Sequence, residues 1–184
     1  MNLDLVACPN GVQTTAGNRA VYDVISNKAY FGAADLESHA LMWELGGSSD
    51  GALLTASLEL DPQSSWLMRC DRVDFPPGGI AYLHTHPGGG IRCILHGTLR
   101  VETQGKSHVY KPGEAWFERG VDPVYAEASA TEDTSFVRVM ILPAEWQGKR
   151  TIKYVNPEDE DKPKLQVATV FFDEILMPLS NNKK

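Results

Sequence analysis

The pattern of apolar and polar positions changes at about residue 52. From there to residue 142, short runs rich in β-branched and aromatic residues alternate with turns made of Gly, Pro or Asp. The runs recur at a spacing of roughly 8–12 residues, which is typical of strands in a sandwich or barrel. Residues 52–142 are therefore predicted to form an all-β barrel, because the turns leave no room for the crossover helices of a parallel sheet.

The segments on either side of this β-rich part are less regular. Residues 1–51 are predicted to form an N-terminal extension that packs on the barrel, with a strand at 20–25 and a short helical turn at 34–42. Residues 143–184 are predicted to form a C-terminal extension, whose apolar stretch 167–172 is a strand or an arm. Both apolar strands could extend a sheet across an interface, so a homodimer is expected.

Composition narrows the class of protein. The chain has 184 residues, which suits one well-filled domain, and its formal net charge of −7 argues against a non-specific nucleic-acid binder. The first residues lack the pattern of a signal peptide, and no stretch reaches the ~18 apolar residues of a membrane span. Cys8, Cys70 and Cys93 are odd in number and widely spaced, so neither a disulfide framework nor a cysteine metal site is expected. We expect a cytoplasmic protein without a membrane partner.

The stretch 79–97 carries the clearest chemistry. His84 and His86 are two residues apart, so in a strand both side chains point to the same face, with Cα atoms ~6–7 Å apart. Two imidazoles at that spacing can share one divalent ion. The alternative is a pair of surface histidines on a solvated face, because a bare pair of this kind is common.

The surroundings of this pair resemble the first sequence motif of the cupin superfamily. Gly79, His84, His86 and Gly97 fall on the positions of that motif without a gap, and residues 112–120 resemble its second motif more faintly. The resemblance is to single-domain, RmlC-like cupins. It implies a jelly-roll barrel, also called a double-stranded β-helix. It also implies the range of metal-dependent dioxygenases, isomerases, epimerases and decarboxylases, without choosing among them.

Two positions depart from the pattern that the resemblance implies. Gly90 occupies the position of a glutamate ligand, and Pro123 occupies the position of the third histidine. Zinc and iron sites usually require at least three protein ligands. A divalent metal (Fe, Mn, Ni or Zn) bound by His84 and His86 would therefore be a weak site, completed by water or substrate.

Strand parity predicts which side chains fill that volume instead. Arg92 shares parity with Gly90, and Tyr125 and Glu127 share parity with Pro123, so all three are predicted to face inward. A buried arginine is costly without a partner, and its guanidinium matches a carboxylate or a phosphate. The partner is either an acidic ligand or an ion pair with Glu118 or Glu127.

The apolar run at 115–118 supplies two further ligand-binding candidates. Trp116 and Glu118 lie on one face, where Trp116 is expected in the pocket wall and Glu118 is either a general base or a paired carboxylate. The glycines at 88–90 either let a ligand approach the backbone or simply form a turn.

These residues support three functions. In the first, a small-molecule enzyme, His84 and His86 bind a metal or act as acid and base, while Arg92 and Tyr125 orient an acidic substrate. In the second, the barrel is a ligand-binding or sensor module without a stable metal. In the third, the pocket is vestigial and the role is structural. Because two metal ligands are missing, oxygenase chemistry is less favoured than the other functions.

Overall fold

The computed structural model describes residues 1–47 and 51–179, and the ends of the predicted extensions at 48–50 and 180–184 lie outside this range. Seven strands precede the barrel: β1 (Asn2–Cys8), β2 (Val12–Thr14), β3 (Arg19–Asp23), β4 (Lys28–Phe31), β5 (Ala34–Leu36), β6 (Ala40–Leu45) and β7 (Leu54–Ser57). The helical turn predicted at 34–42 is wrong, since β5 and β6 occupy it. Leu41, Trp43 and Leu45 are buried at alternate positions of β6, which is the period of a strand.

The barrel follows, and it is built from ten strands. They are β8 (Trp66–Phe75), β9 (Ile80–Thr85), β10 (Gly90–His96), β11 (Leu99–Thr103), β12 (Lys106–Tyr110), β13 (Ala115–Glu118), β14 (Val124–Ala128), β15 (Thr134–Pro143), β16 (Lys153–Tyr154) and β17 (Val167–Ile175). Two short 3₁₀ helices, Ala144–Trp146 and Pro157–Glu160, lie between β15 and β17. No helix in the described part of the chain is long and apolar enough to cross a membrane.

Two antiparallel five-stranded sheets enclose the barrel interior. The first has the order β13-β10-β15-β8-β17 and the second has the order β12-β11-β14-β9-β16. This is the jelly roll that the sequence predicts. β17 confirms the strand predicted at 167–172, and it packs back on the barrel by pairing with β8.

The N-terminal strands form a third layer. A sheet of order β4-β3-β6-β1-β7 packs against the outer face of the first barrel sheet. In the core between them, Leu3, Leu5 and Trp43 meet Cys93 and Val139. β7 falls within the residues 52–142 predicted to form the barrel, but it pairs with β1. It therefore belongs to this layer, and the barrel strands start at β8.

Because of this layer, the central strands of the first barrel sheet are buried on both faces. Along β15, Val137 and Val139 pack toward the N-terminal sheet, whereas Phe136 and Arg138 line the barrel interior. Such strands read as continuous apolar runs, and the inward face cannot be recognised from hydropathy alone.

Candidate functional site

A cavity of about 600 Å³ lies between the two barrel sheets. This volume is within the range of small-molecule sites. The lining residues that come from β8–β15 are all buried, and the exposed ones are confined to residues 148–170. We call residues 148–170 the entrance, because the cavity opens beside β16 and β17 there.

Cross-strand register brings charged side chains together on one wall. One row of neighbours across four strands contains Trp116, Arg92, Arg138 and Asp71. The adjacent row contains Glu118, Gly90, Met140, Arg69 and Asp173. Within these rows each of the three arginines has an acidic partner, so the buried charges of the wall balance.

Arg138 is held rigidly by Asp71. Its Nε donates to Asp71 Oδ1 at 2.6 Å and its Nη2 donates to Asp71 Oδ2 at 3.0 Å, a bidentate pair between β15 and β8. Burial alone would lower the pKa of Arg138, but the attraction and hydrogen bonds of Asp71 outweigh it, so the pKa is raised. The remaining Nη1 lies 3.3 Å from Nε2 of His86.

Arg92 faces inward, as its strand parity predicts, and is 1% exposed. Its Nη1 donates to the Gly90 carbonyl at 2.6 Å, and its Nη2 lies 2.7 Å from Glu118 Oε2. The second contact lacks hydrogen-bond geometry, so Nη2 is a buried nitrogen without a hydrogen-bond partner among the described residues. Burial lowers the pKa of Arg92 to about 10, and Glu118 only partly offsets this. The ion pair with Glu118 is therefore present, but it leaves an unused donor.

Glu118 and Trp116 both line the cavity, at the places predicted for ligand-binding residues. Glu118 accepts a hydrogen bond from Trp116 Nε1 at 2.7 Å. Burial would raise the pKa of Glu118, but the positive charge of Arg92 and the hydrogen bond from Trp116 lower it further, so the carboxyl is an ionised partner of Arg92. It is not a free base.

His84 and His86 lie side by side on β9, with ring centroids 5.0 Å apart. Nδ1 of His84 is 2.7 Å from the Tyr82 carbonyl, so Nδ1 carries the proton and Nε2 the lone pair. The hydrogen bond of His84 thus uses Nδ1 and leaves Nε2 as the acceptor nitrogen. In His86, by contrast, Nε2 accepts from Arg138, and Nδ1 lies 3.2 Å from Thr151 Oγ1.

Both imidazoles are neutral at pH 7. Burial is the largest cause that lowers the pKa of His84 below 6.5. The pKa of His86 is lowered further, first by burial and then by the positive charge of Arg138. Only His84 therefore presents an unoccupied proton acceptor to the cavity.

These residues do not fit a divalent metal. No group of three His, Cys, Asp or Glu side chains with metal-ligand geometry occurs among residues 1–47 and 51–179. The lone pair of His86 that a metal would need already faces the Arg138 guanidinium. A side chain at Gly90 is excluded, because a Cβ there would lie 2.1 Å from the Val139 carbonyl oxygen. The glycine thus serves the close approach of β10 to β15, and a glutamate ligand cannot occupy its place.

Tyr125 and Glu127 point away from the cavity, so their predicted inward orientation is wrong. Val124 and Ala126 line the interior, whereas Tyr125 lies in a shallow depression on the outer face. The Arg100 guanidinium is 5.6 Å from the centre of the Tyr125 ring and is also paired with Glu127. The error comes from counting parity from Pro123, which precedes β14 and has no strand geometry.

Several site residues were missed by the sequence reasoning. They are Arg69, Asp71, Arg138, Thr151, Tyr154 and Asp173. Charged residues at alternate positions of an apolar run, as in β8, and one arginine within the apolar run of β15, are signals that could have revealed three of them. Thr151 and Tyr154 carry no such local signal, because they reach the site only through the pairing of β16 with β9, which is distant in sequence.

Comparison with known proteins shows what the barrel is similar to. No curated protein matches the sequence. Among solved structures, the polyketide cyclase RemF from Streptomyces resistomycificus is 18% identical with a TM-score of 0.40, and the match covers 50% of this chain and 62% of that one. A cupin-like protein from Thermotoga maritima is 20% identical with a TM-score of 0.41, covering 50% and 69%. The DMSP lyase DddQ from Ruegeria pomeroyi DSS-3 is 20% identical with a TM-score of 0.42, covering 52% and 46%.

This chain thus spans about half to two thirds of the length of those structures. Residues 71–140 match the family model of the cupin domain. These residues contain β9–β14, half of β8 and most of β15, and they include His84, His86, Arg92 and Arg138. The barrel part of this chain is therefore similar to the cupin domain.

Proposed function

We propose that the barrel binds a small organic anion and that binding requires no metal ion. The observation that supports this most strongly is Arg92, a residue of the cavity wall whose buried Nη2 has no hydrogen-bond partner among the described residues. Nη2 is ion-paired with Glu118 at 2.7 Å but makes no hydrogen bond. Burying a donor without a hydrogen bond costs about 1–3 kcal/mol. A carboxylate oxygen in the cavity would remove that cost.

The neighbouring arginine supports the same ligand. Arg138 is anchored by Asp71, so its Nη1 has a fixed direction toward the cavity beside His86. A carboxylate that meets Arg92 and Arg138 together would gain charge-assisted hydrogen bonds without reorganising either side chain. Lys149 and Lys164 line the entrance and would attract an anion.

The donor set also favours binding without a metal. In this barrel the guanidinium of Arg138 occupies the side of His86 on which a metal would bind, and it supplies the positive charge there. The predicted metal at His84 and His86 would have to displace Arg138 from His86.

A second function, proton transfer on the bound acid, is favoured by His84. Its neutral imidazole presents a free Nε2 to the cavity, as a general base requires. The chemistry would then be of the isomerase kind, in which a proton leaves the carbon next to an electron-withdrawing group. Exchange of the C3 protons of phenylpyruvate in D₂O, followed by NMR, tests this: wild-type protein should accelerate it and His84→Gln should not.

The anion proposal is tested by isothermal titration calorimetry with benzoate. We expect Arg92→Gln to weaken binding at least about tenfold, since a charged hydrogen bond contributes about 1.5–3 kcal/mol. Arg100→Gln is the matched control, because Arg100 lies on the outer face of the barrel. Wild-type affinity should not change after treatment with EDTA. Unchanged binding in Arg92→Gln, or binding that EDTA abolishes and added zinc restores, would contradict the proposal.

A further inference from the structure

The cavity is charged at one end and apolar at the other. The inward side chains of β8 are, in order, Arg69, Asp71, Val73 and Phe75, and all four line the cavity. Successive members of this series are ~6.7 Å apart along the strand. Polarity therefore changes once, between Asp71 and Val73.

The neighbouring strand β15 changes polarity at the same level. Arg138 pairs with Asp71, and Phe136 pairs with Val73, so the boundary continues from β8 into β15. On the facing sheet, His84 pairs with Val124, and Ala81 pairs with Ala126. We call the part of the cavity on the His84 and Arg138 side the charged end, and the part lined by Phe75, Ala81, Leu99, Ala126 and Phe136, on which the Trp116 ring packs, the apolar end.

The apolar end has rigid aromatic walls and small residues opposite them. The rings of Trp116 and Phe136 meet edge to face at 5.4 Å, and Phe75 packs on Phe136 at 6.1 Å. Ala81 and Ala126 lie on the opposite sheet and leave room between the sheets. Water in such a place finds few hydrogen-bond partners, whereas an apolar group gains free energy by burial.

We propose that the anion is a monocarboxylate with an apolar arm, such as one aromatic ring or a chain of about six carbons. Its carboxylate lies at Arg92 and Arg138, and its arm occupies the apolar end. The distance from the arginine row to Val73 is one strand step and to Phe75 two steps, so the arm is ~7–13 Å long. This assignment rests on the proposed binding of an organic anion and defines the part of the ligand away from the charge.

The test is a titration series with acetate, hexanoate, benzoate and the neutral benzamide. Hexanoate and benzoate should bind at least about tenfold more tightly than acetate, because each buries an apolar arm. Benzamide should bind at least about tenfold more weakly than benzoate, because it lacks the charge that Arg92 and Arg138 recognise.

A cavity-filling variant locates the arm. Ala126→Leu places extra carbons in the apolar end and should reduce benzoate and hexanoate affinity about tenfold while leaving acetate unaffected. Ala128→Leu is the matched control, since Ala128 is on the same strand and equally buried but does not line the cavity. If Ala126→Leu does not fold, Ala81→Val probes the same space from β9.

The outcomes separate the two proposals. Equal affinity for acetate, hexanoate and benzoate, or an Ala126→Leu protein that still prefers the longer acids, would overturn the apolar arm and leave anion binding standing. Benzamide binding as tightly as benzoate would overturn anion binding itself. Absence of binding by all three acids at millimolar concentration would overturn both.

Discussion

The two histidines of β9 differ in what their ring nitrogens contact. Both nitrogens of His86 are engaged, by Thr151 on one side and Arg138 on the other, so this ring positions the guanidinium. His84 uses only Nδ1, and its Nε2 faces the cavity. Alternation on one strand thus brings the pair together, while the tertiary environment makes His86 a positioning residue and His84 the residue available for chemistry.

The buried imidazoles should make stability depend on pH. Burial lowers the pKa of both, and Arg138 lowers the pKa of His86 further. The unfolded chain therefore takes up protons near pH 6.5, where the folded chain does not. The free energy of unfolding should be at its full value above about pH 6.5 and fall as the pH drops below it. Urea unfolding between about pH 7 and pH 5 measures this.

A substitution identifies the group responsible. His86→Gln keeps a hydrogen-bonding side chain but cannot titrate, so its stability should decline less steeply with acidification than that of the wild type. His108→Gln is the control, because His108 is exposed on β12. Equal slopes for His86→Gln and the wild type would contradict the assignment.

At the level of single residues, the sequence predicts the face to which a side chain points only when the compared positions belong to the same strand. Arg92 is correctly placed because it and Gly90 belong to the same strand, β10. Tyr125 is misplaced because the count starts at a proline outside β14. Arg138 escapes notice because both faces of β15 are buried, so no polar face marks its direction.

Between elements, the Asp71–Arg138 pair joins β8 to β15 across the centre of the first barrel sheet. Asp71→Asn removes the negative charge and leaves Arg138 buried with no full counter-charge. We expect a loss of about 3–5 kcal/mol in the free energy of unfolding, as for other buried pairs with one partner removed. Urea titration measures the change.

Asp74→Asn provides the matched control on the same strand. Asp74 pairs with Arg72 on the surface, where 44% of its side chain is exposed. Its loss should cost less than about 1 kcal/mol, because exposed ion pairs contribute little. A comparable cost for the two variants would show that burial of the Asp71 pair is not what stabilises the sheet.

The elements themselves follow the apolar pattern where strands lie between clear turns, as from β8 to β15. The helical turn expected at residues 34–42 fails because the serine and charged residues there interrupt a run that is too short to show its period. The bend at Ser38 separates β5 from β6, and burial against the barrel stabilises β6 as a strand. Tertiary contacts override local preference in this segment.

At the scale of the whole molecule, the N-terminal sheet and the two barrel sheets have different roles. The N-terminal sheet covers the outer face of the first barrel sheet and fills the larger apolar core, with Trp43 Nε1 donating to the Ile91 carbonyl at 3.2 Å. The barrel interior is thereby free to contain a cavity and three buried ion pairs. The sequence predicts the barrel and an N-terminal extension packed on it, but not that the extension forms a five-stranded sheet, since sheet pairing between distant segments leaves no local pattern.

The strand order in the sheets leaves one of the two strands proposed for the homodimer interface. Ala20–Asp23 lies in β3, which is paired on both sides by β4 and β6, so it cannot extend a sheet. β17 is the longest edge strand of the described chain, with nine residues, and it exposes Val167 and Ile175. Unpaired edges of this length tend to pair with another chain unless they are protected.

We therefore expect two copies to associate along β17. The wild type should sediment as a dimer at micromolar concentration, and Val167→Lys combined with Ile175→Lys should give a monomer, because charges on an edge oppose pairing. Val109→Lys is the control, since Val109 is exposed on β12, an edge strand of the other sheet. A monomeric wild type, or a double variant that remains dimeric, would contradict the prediction. Because β17 also lines the entrance through Ala168 and Val170, a dimer formed there would place the two cavity entrances at the interface.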